Sequence, residues 1–127
     1  MRFTDVFIRR PVLALVVTTL VFGAMHLVSL GGQQNLADHL WYLAMPLGFA
    51  FLAGALALRM RSLWPAIGVH GGFHVGNAAA GALGLALDGP IAWVTVGVLF
   101  AAVGGLVLAR TPRHLLAPGN EASPFDR

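Results

Sequence analysis

The sequence predicts an all-α fold, a polytopic membrane bundle of about four transmembrane helices. Three observations predict it. Of 127 residues, 57% are hydrophobic and only 10% are Asp, Glu, Lys or Arg, whereas soluble domains are near one-quarter charged. Stretches without Asp, Glu, Lys or Arg run at about 11–30, 40–58, 62–87 and 90–109, apart from the Arg between them, and each is near or above the ~18–20 residues a helix needs to cross hydrocarbon. The basic residues are all Arg, and most sit beside those stretches: Arg9 and Arg10, Arg59 and Arg61, Arg110 and Arg113. Short Arg-rich loops stay cytoplasmic, so both termini and the 59–61 loop are expected inside and the loops with Asp38 and Asp88 outside.

Taken in order, residues 1–10 mix Arg2, Asp5, Arg9 and Arg10 with Phe3, Val6, Phe7 and Ile8, which predicts a short interfacial anchor feeding a helix start at Pro11. The first apolar run is expected to be a retained span, not a cleaved signal. It continues past Ala24 to Leu30, and bulky Phe22 occupies the −3 place for cleavage after Ala24. Gly31 to Asn35 reads as a turn, with Asp38 or His39 expected to serve the next helix start. Pro46 predicts a kink in the second span. Span three carries Gly68, Gly72, Gly76, Ala80 and Gly84 at four-residue intervals, and span four carries Gly97, Ala101 and Gly105. This small-xxx-small pattern predicts close helix contacts, either with a partner helix or in a homo-oligomer. Residues 1–117 form one membrane domain in this reading, and 118–127, without apolar periodicity, a disordered tail.

Composition also excludes functions. The absence of Cys removes disulfides, thiolate metal ligands and a cysteine nucleophile. No contiguous basic face with interleaved aromatics exists, so nucleic acid is not an expected partner; membrane lipid is. Trp41, Tyr42, Trp64 and Trp93 lie near span ends and read as interfacial belt residues, while His39 and His114 read as solvated loop residues.

Polar groups inside the spans carry the chemistry. His70, His74 and Asn77 stand at i, i+4 and i+7, on one helical face. His26 lies about 24 Å along span one from its cytoplasmic end, with His74 at about 20 Å and Asn77 at about 24 Å in a span of the same direction. Taken singly, a membrane His most simply hydrogen-bonds a backbone carbonyl across a helix contact. Three imidazoles and an amide at matching depth point instead to a shared cavity, because polar groups are costly in hydrocarbon unless they pair or bind something.

Phe22-Gly23-Ala24-Met25-His26 matches an FxxxH motif. Ser62-Leu63-Trp64-Pro65-Ala66-Ile67 leading to His70-Gly71-Gly72-Phe73-His74 resembles the downstream HxxxN/D motif and its approach. Together, over about residues 11–85, they resemble the CPBP family, the CAAX protease and bacteriocin-processing group of intramembrane metalloproteases, also called Abi. The resemblance implies hydrolysis of peptide bonds in membrane-associated peptide or protein substrates, in a bacterial plasma membrane. By that resemblance His26 and His70 are the motif histidines, His74 takes the Asn or Asp place, and Asn77 takes part of the amide's role. The same resemblance implies a divalent metal, zinc, held by His26, His70 and His74, or an oxyanion stabilised by them. The family's EExxxR glutamates have no counterpart: the carboxylates are Asp5, Asp38, Asp88, Glu121 and Asp126, none within a span. Two expectations follow, a chain whose EExxxR helix lies upstream of Met1, or a member without hydrolysis acting as an immunity or assembly factor through its glycine contacts. A proton-coupled four-span exporter is excluded, since it needs a membrane-embedded carboxylate.

Overall fold

The computed structural model describes residues 10–30, 32–85 and 88–118. The expected interfacial anchor before Arg10 and the expected tail from residue 119 onward lie outside them. The described residues form helices and turns, with no strand among them.

Helix α1 spans Pro11–Met25, begins with proline where no amide partner is needed, and tightens into a 3-10 turn over His26–Val28. Helix α2 covers Leu36–Tyr42 and α3 covers Ala44–Met60, separated by a turn at Leu43. Neither Asp38 nor His39 caps α2, contrary to the sequence expectation. Asn35 does: its side chain accepts from the Asp38 amide at 3.0 Å, and the Asp38 carboxylate accepts from the Gln34 amide at 3.0 Å. Asparagine wins because its oxygen reaches the amide three residues on, one of the donors a helix start leaves unpaired. Pro46 has no N–H for the carbonyl of Tyr42, and the segment is interrupted at Leu43, whose backbone stays helical at φ −57 and ψ −27. Helix α3 ends with Arg61 in the left-handed region at φ 49, the sole non-glycine residue there among those described. The bonds Ser62 N–H to the Ala57 carbonyl (3.2 Å) and Arg61 N–H to the Leu58 carbonyl (3.4 Å) close that end as a Schellman motif.

Helix α4 covers Trp64–Ala82 and α5 covers Pro90–Ala109, with a short α6 at Arg113–Leu116. The sequence expects span three to run to residue 87, but α4 stops at Ala82 because Gly84 takes φ +72 and the Leu85 amide returns to the Ala80 carbonyl at 2.9 Å.

Three helical segments are long and apolar enough to cross a membrane: Pro11–Val28, Leu36–Met60 and Pro90–Ala109. Together with the family reported below, they make this an integral membrane protein. The 19-residue α4 has the length for a span. Its glycines, His70, His74 and Asn77 leave it outside those three, where the sequence expects a fourth span.

Helix α3 is the centre. It carries Phe49, Leu52, Ala53 and Ala55, most of the buried apolar residues, and α1, α4 and α5 all pack on it. The tightest seam joins α3 to α5 at glycines. A Cβ on Gly48 would lie 2.8 Å from the Gly97 carbonyl carbon, one on Gly97 2.8 Å from the Met45 nitrogen, and one on Gly104 3.1 Å from the Leu52 Cα. Small residues here let two backbones touch, the source of helix association where lipid offers no hydrophobic drive. Of this seam the sequence singles out Gly97 but not Gly48 or Gly104, and it also marks a stripe that makes no contact. Gly68, Gly72 and Gly76 of α4, and Gly105 of α5, have nothing within 4 Å of a built Cβ. No residue of α4 is buried; its half-buried side is Val69, Phe73, Ala66 and Ala80. The four-residue glycine spacing drifts around the helix, so most of that stripe turns away from α3.

At the opposite end from the α2 cap, the Arg59 guanidinium donates to the Arg110 carbonyl, and the buried Thr111 hydroxyl donates to the Val107 carbonyl at 2.7 Å. Both satisfy carbonyls left open where α5 stops.

Candidate active site

Where α1 tightens at His26, the backbone N–H of that residue turns to the Gly23 carbonyl. The Phe22 carbonyl, one turn back, accepts from the imidazole Nδ1 of His26 at 2.7 Å. A carbonyl can only accept, so Nδ1 carries the proton and, in the neutral ring, Nε2 is left with a bare lone pair. The Phe22 ring lies 4.5 Å from the imidazole centroid. Both ends of FxxxH thus act on the histidine: the phenylalanine carbonyl fixes the tautomer and its ring fixes the plane. Gly23 between them is buried because a Cβ there would meet the Leu47 side chain at 2.8 Å, so its absence lets α1 approach α3.

His70 and His74, one turn apart on α4, meet through Nε2 to Nε2 at 3.1 Å. One ring donates its Nε2–H to the bare Nε2 of the other, so a single proton lies between them. Phe49 of α3 joins the helices at this level. Only 6% exposed, its ring stands 6.0 Å from Phe22, 5.4 Å from His70, 5.5 Å from Phe73 and 5.8 Å from Phe100.

These residues line one open cleft of about 80 Å3. Its polar walls are His26, Tyr42, His70 and His74; its apolar walls are Phe22, Met45, Pro46, Phe49 and Phe73. The cleft brings together the three histidines singled out from sequence. Asn77, the fourth residue expected at the site, is exposed and not among the lining residues. No Asp or Glu lines the cleft.

Among the described residues, no three His, Asp or Glu side chains gather closely enough to hold a metal ion between them. The three-histidine zinc set does not fit as a ready ligand cluster. His26, held to its own helix by Nδ1, keeps Nε2 free, and the Nε2 atoms of His70 and His74 lie 3.1 Å apart.

The family model described as "Type II CAAX prenyl endopeptidase Rce1-like" matches residues 2–76, more than half of the chain. The chain belongs to the Rce1-like CAAX protease family. The matched segment holds FxxxH, the approach from Ser62 and both α4 histidines, and ends one residue before Asn77. Comparison with curated proteins gives no match, and neither does comparison with solved structures.

Sequence reasoning missed two members of the site. Tyr42 reads from sequence as a belt residue, and Trp93 likewise. The structure buries Trp93 to 3% exposure and packs Tyr42 edge-on against it at 5.4 Å, with Tyr42 on the cleft wall. Tyr42 stands four residues before Pro46, the position whose carbonyl a proline cannot serve, and that is the signal that bears on it. Phe49 carries no distinguishing mark in the sequence. His39, read as a loop residue, lies within α2 with its Nδ1 buried and without a partner among the described residues, while His114 is exposed on α6.

Proposed function

We propose that this Rce1-like protein hydrolyses a peptide bond of membrane-associated substrates at the cleft between α1, α2 and α4, with prenylated C-terminal peptides the substrates its family suggests. The observation that carries the reading is the fixed tautomer of His26 in a cleft shared with the His70–His74 pair. Nε2 of His26 is the base: it takes a proton from water as the water oxygen bonds to the substrate carbonyl carbon and the C=O pair moves onto oxygen. The proton between His70 and His74 stabilises the charge that develops, and the leaving amine collects its proton from His26 as the tetrahedral carbon collapses. The apolar walls, Phe22, Phe49 and Phe73 among them, exclude bulk water and accept an apolar substrate segment.

Reconstitution of the purified protein in vesicles with a fluorogenic prenylated peptide tests this. Cleavage by the wild type that falls about 100-fold or more in His26→Ala supports it; no cleavage by the wild type, with intact helicity, overturns it.

The open glycine stripe of α4 favours a second reading, a non-catalytic member that binds a partner helix or a second copy through Gly68, Gly72 and Gly76. In that case Gly72→Leu and Gly76→Leu abolish association while His70→Ala leaves it intact. Loss of association in His70→Ala alone removes this reading.

A further inference from the structure

Tyr42 is the chain's only tyrosine, and its place is unlike that of a belt residue. It ends α2 just before the Leu43 interruption and lines the cleft beside His26, ring centroid to ring centroid 6.4 Å. Trp93, 3% exposed, backs it edge-on at 89°. A ring with two side-chain torsions held from behind by a buried indole is pre-set. Its hydroxyl has no hydrogen-bond partner among the described residues, although a phenol in apolar surroundings ordinarily finds one. The other polar groups of the cleft offer a substrate oxygen one shared proton, the Nε2–H of the α4 pair. His26 has spent its proton on the Phe22 carbonyl, and the α4 pair holds a proton between its own rings. Tyr42 supplies the one hydroxyl on the cleft wall.

We infer that the Tyr42 hydroxyl is a further catalytic group, the donor that meets the substrate carbonyl oxygen as it becomes an oxyanion. This rests on the hydrolytic reading above. Water adds to the carbonyl carbon and gives its proton to His26 Nε2, the carbonyl electron pair moves to oxygen, and the Tyr42 O–H hydrogen-bonds that oxygen without giving up its proton. The bond shortens as charge develops, so it favours the transition state over the bound substrate.

The test pairs turnover with a binding probe. Tyr42→Phe keeps the ring against Trp93 and removes only the hydroxyl. It is expected to lower kcat about 100-fold or more, the scale of losing one oxyanion donor, with KM and the unfolding midpoint unchanged. A peptide carrying a phosphinate in place of the scissile amide presents a tetrahedral anion. It is expected to shift the 13Cζ resonance of labelled Tyr42 and to bind Tyr42→Phe more weakly by a similar factor, while the intact-amide peptide binds both alike.

Full turnover by Tyr42→Phe, with turnover lost in His26→Ala, overturns the inference and leaves the proposed function standing. A wild type that binds the phosphinate with the resonance shift but does not cleave supports the Tyr42 contact and overturns hydrolysis. A wild type that neither cleaves nor binds the phosphinate overturns both.

Discussion

Replacing Gly97 by Ala adds one methyl group at the tightest point of the bundle, where the built Cβ meets backbone alone: the Ala44 carbonyl and, at 2.8 Å, the Met45 nitrogen. Ordinary contact begins at 3.4 Å, so α3 and α5 must separate by at least the difference, about 0.6 Å, for the methyl to fit. A gap of that size forfeits roughly a quarter or more of each affected dispersion contact, and it propagates to Gly48 and Gly104 because rigid helices move as units. Overpacking costs about 1–3 kcal/mol. Neither wall here is a flexible side chain, so the upper end applies, about 3 kcal/mol, or roughly a hundredfold in the folded-to-unfolded ratio. Reversible unfolding in mixed micelles, followed by helical circular dichroism, measures it. Gly72→Ala is the control: its Cβ meets nothing within 4 Å, and exchanging glycine for alanine in a helix favours the helix by up to about 1 kcal/mol. Equal stability of Gly97→Ala and wild type, or equal damage from Gly72→Ala, refutes the assignment of the seam.

Three further outcomes are expected. Phe49→Ala removes the ring shared by α1, α4 and α5 and is expected to cost about 3–5 kcal/mol in the same unfolding assay, with loss of peptide cleavage. Arg61→Gly relieves a left-handed backbone and is expected to raise stability by about 1 kcal/mol, read as an upward shift of the unfolding midpoint. Asn77→Ala is expected to change kcat by no more than about threefold while His70→Ala abolishes most of it, because removing a group involved in proton transfer costs about 100-fold or more and Asn77 lies off the cleft wall; equal losses in the two variants would place the amide in the reaction after all.

Much of the architecture was legible because hydrocarbon imposes a simple rule: long apolar runs become helices, and Pro11 and Pro90 mark where two of them start. The histidines were legible for the same reason, since imidazoles in apolar runs stand out. The contacts were not. Glycine spacing along one stretch of sequence says which residues share a face, but not whether that face meets a neighbour, and so Gly97 was marked without its partner Gly48 while the open stripe on α4 was marked beside it. Tyr42 was hidden by a rule that is right on average, aromatic residues at span ends facing the interface. For the metal set, residues 26, 70 and 74 reach one cleft, but spacing along two helices does not say how near three ring nitrogens come to one another, and among the described residues they form no close cluster.

The proline that interrupts the second span has one more effect. Lacking an amide hydrogen, Pro46 cannot serve the oxygen of Tyr42 four positions earlier, and both residues stand on the wall of a polar recess in an otherwise oily sector. Such an oxygen draws moisture inward. A hydrolytic reaction at this depth depends on water as much as on its base, and the oxygen that Pro46 cannot serve is the place on this wall to look for that supply.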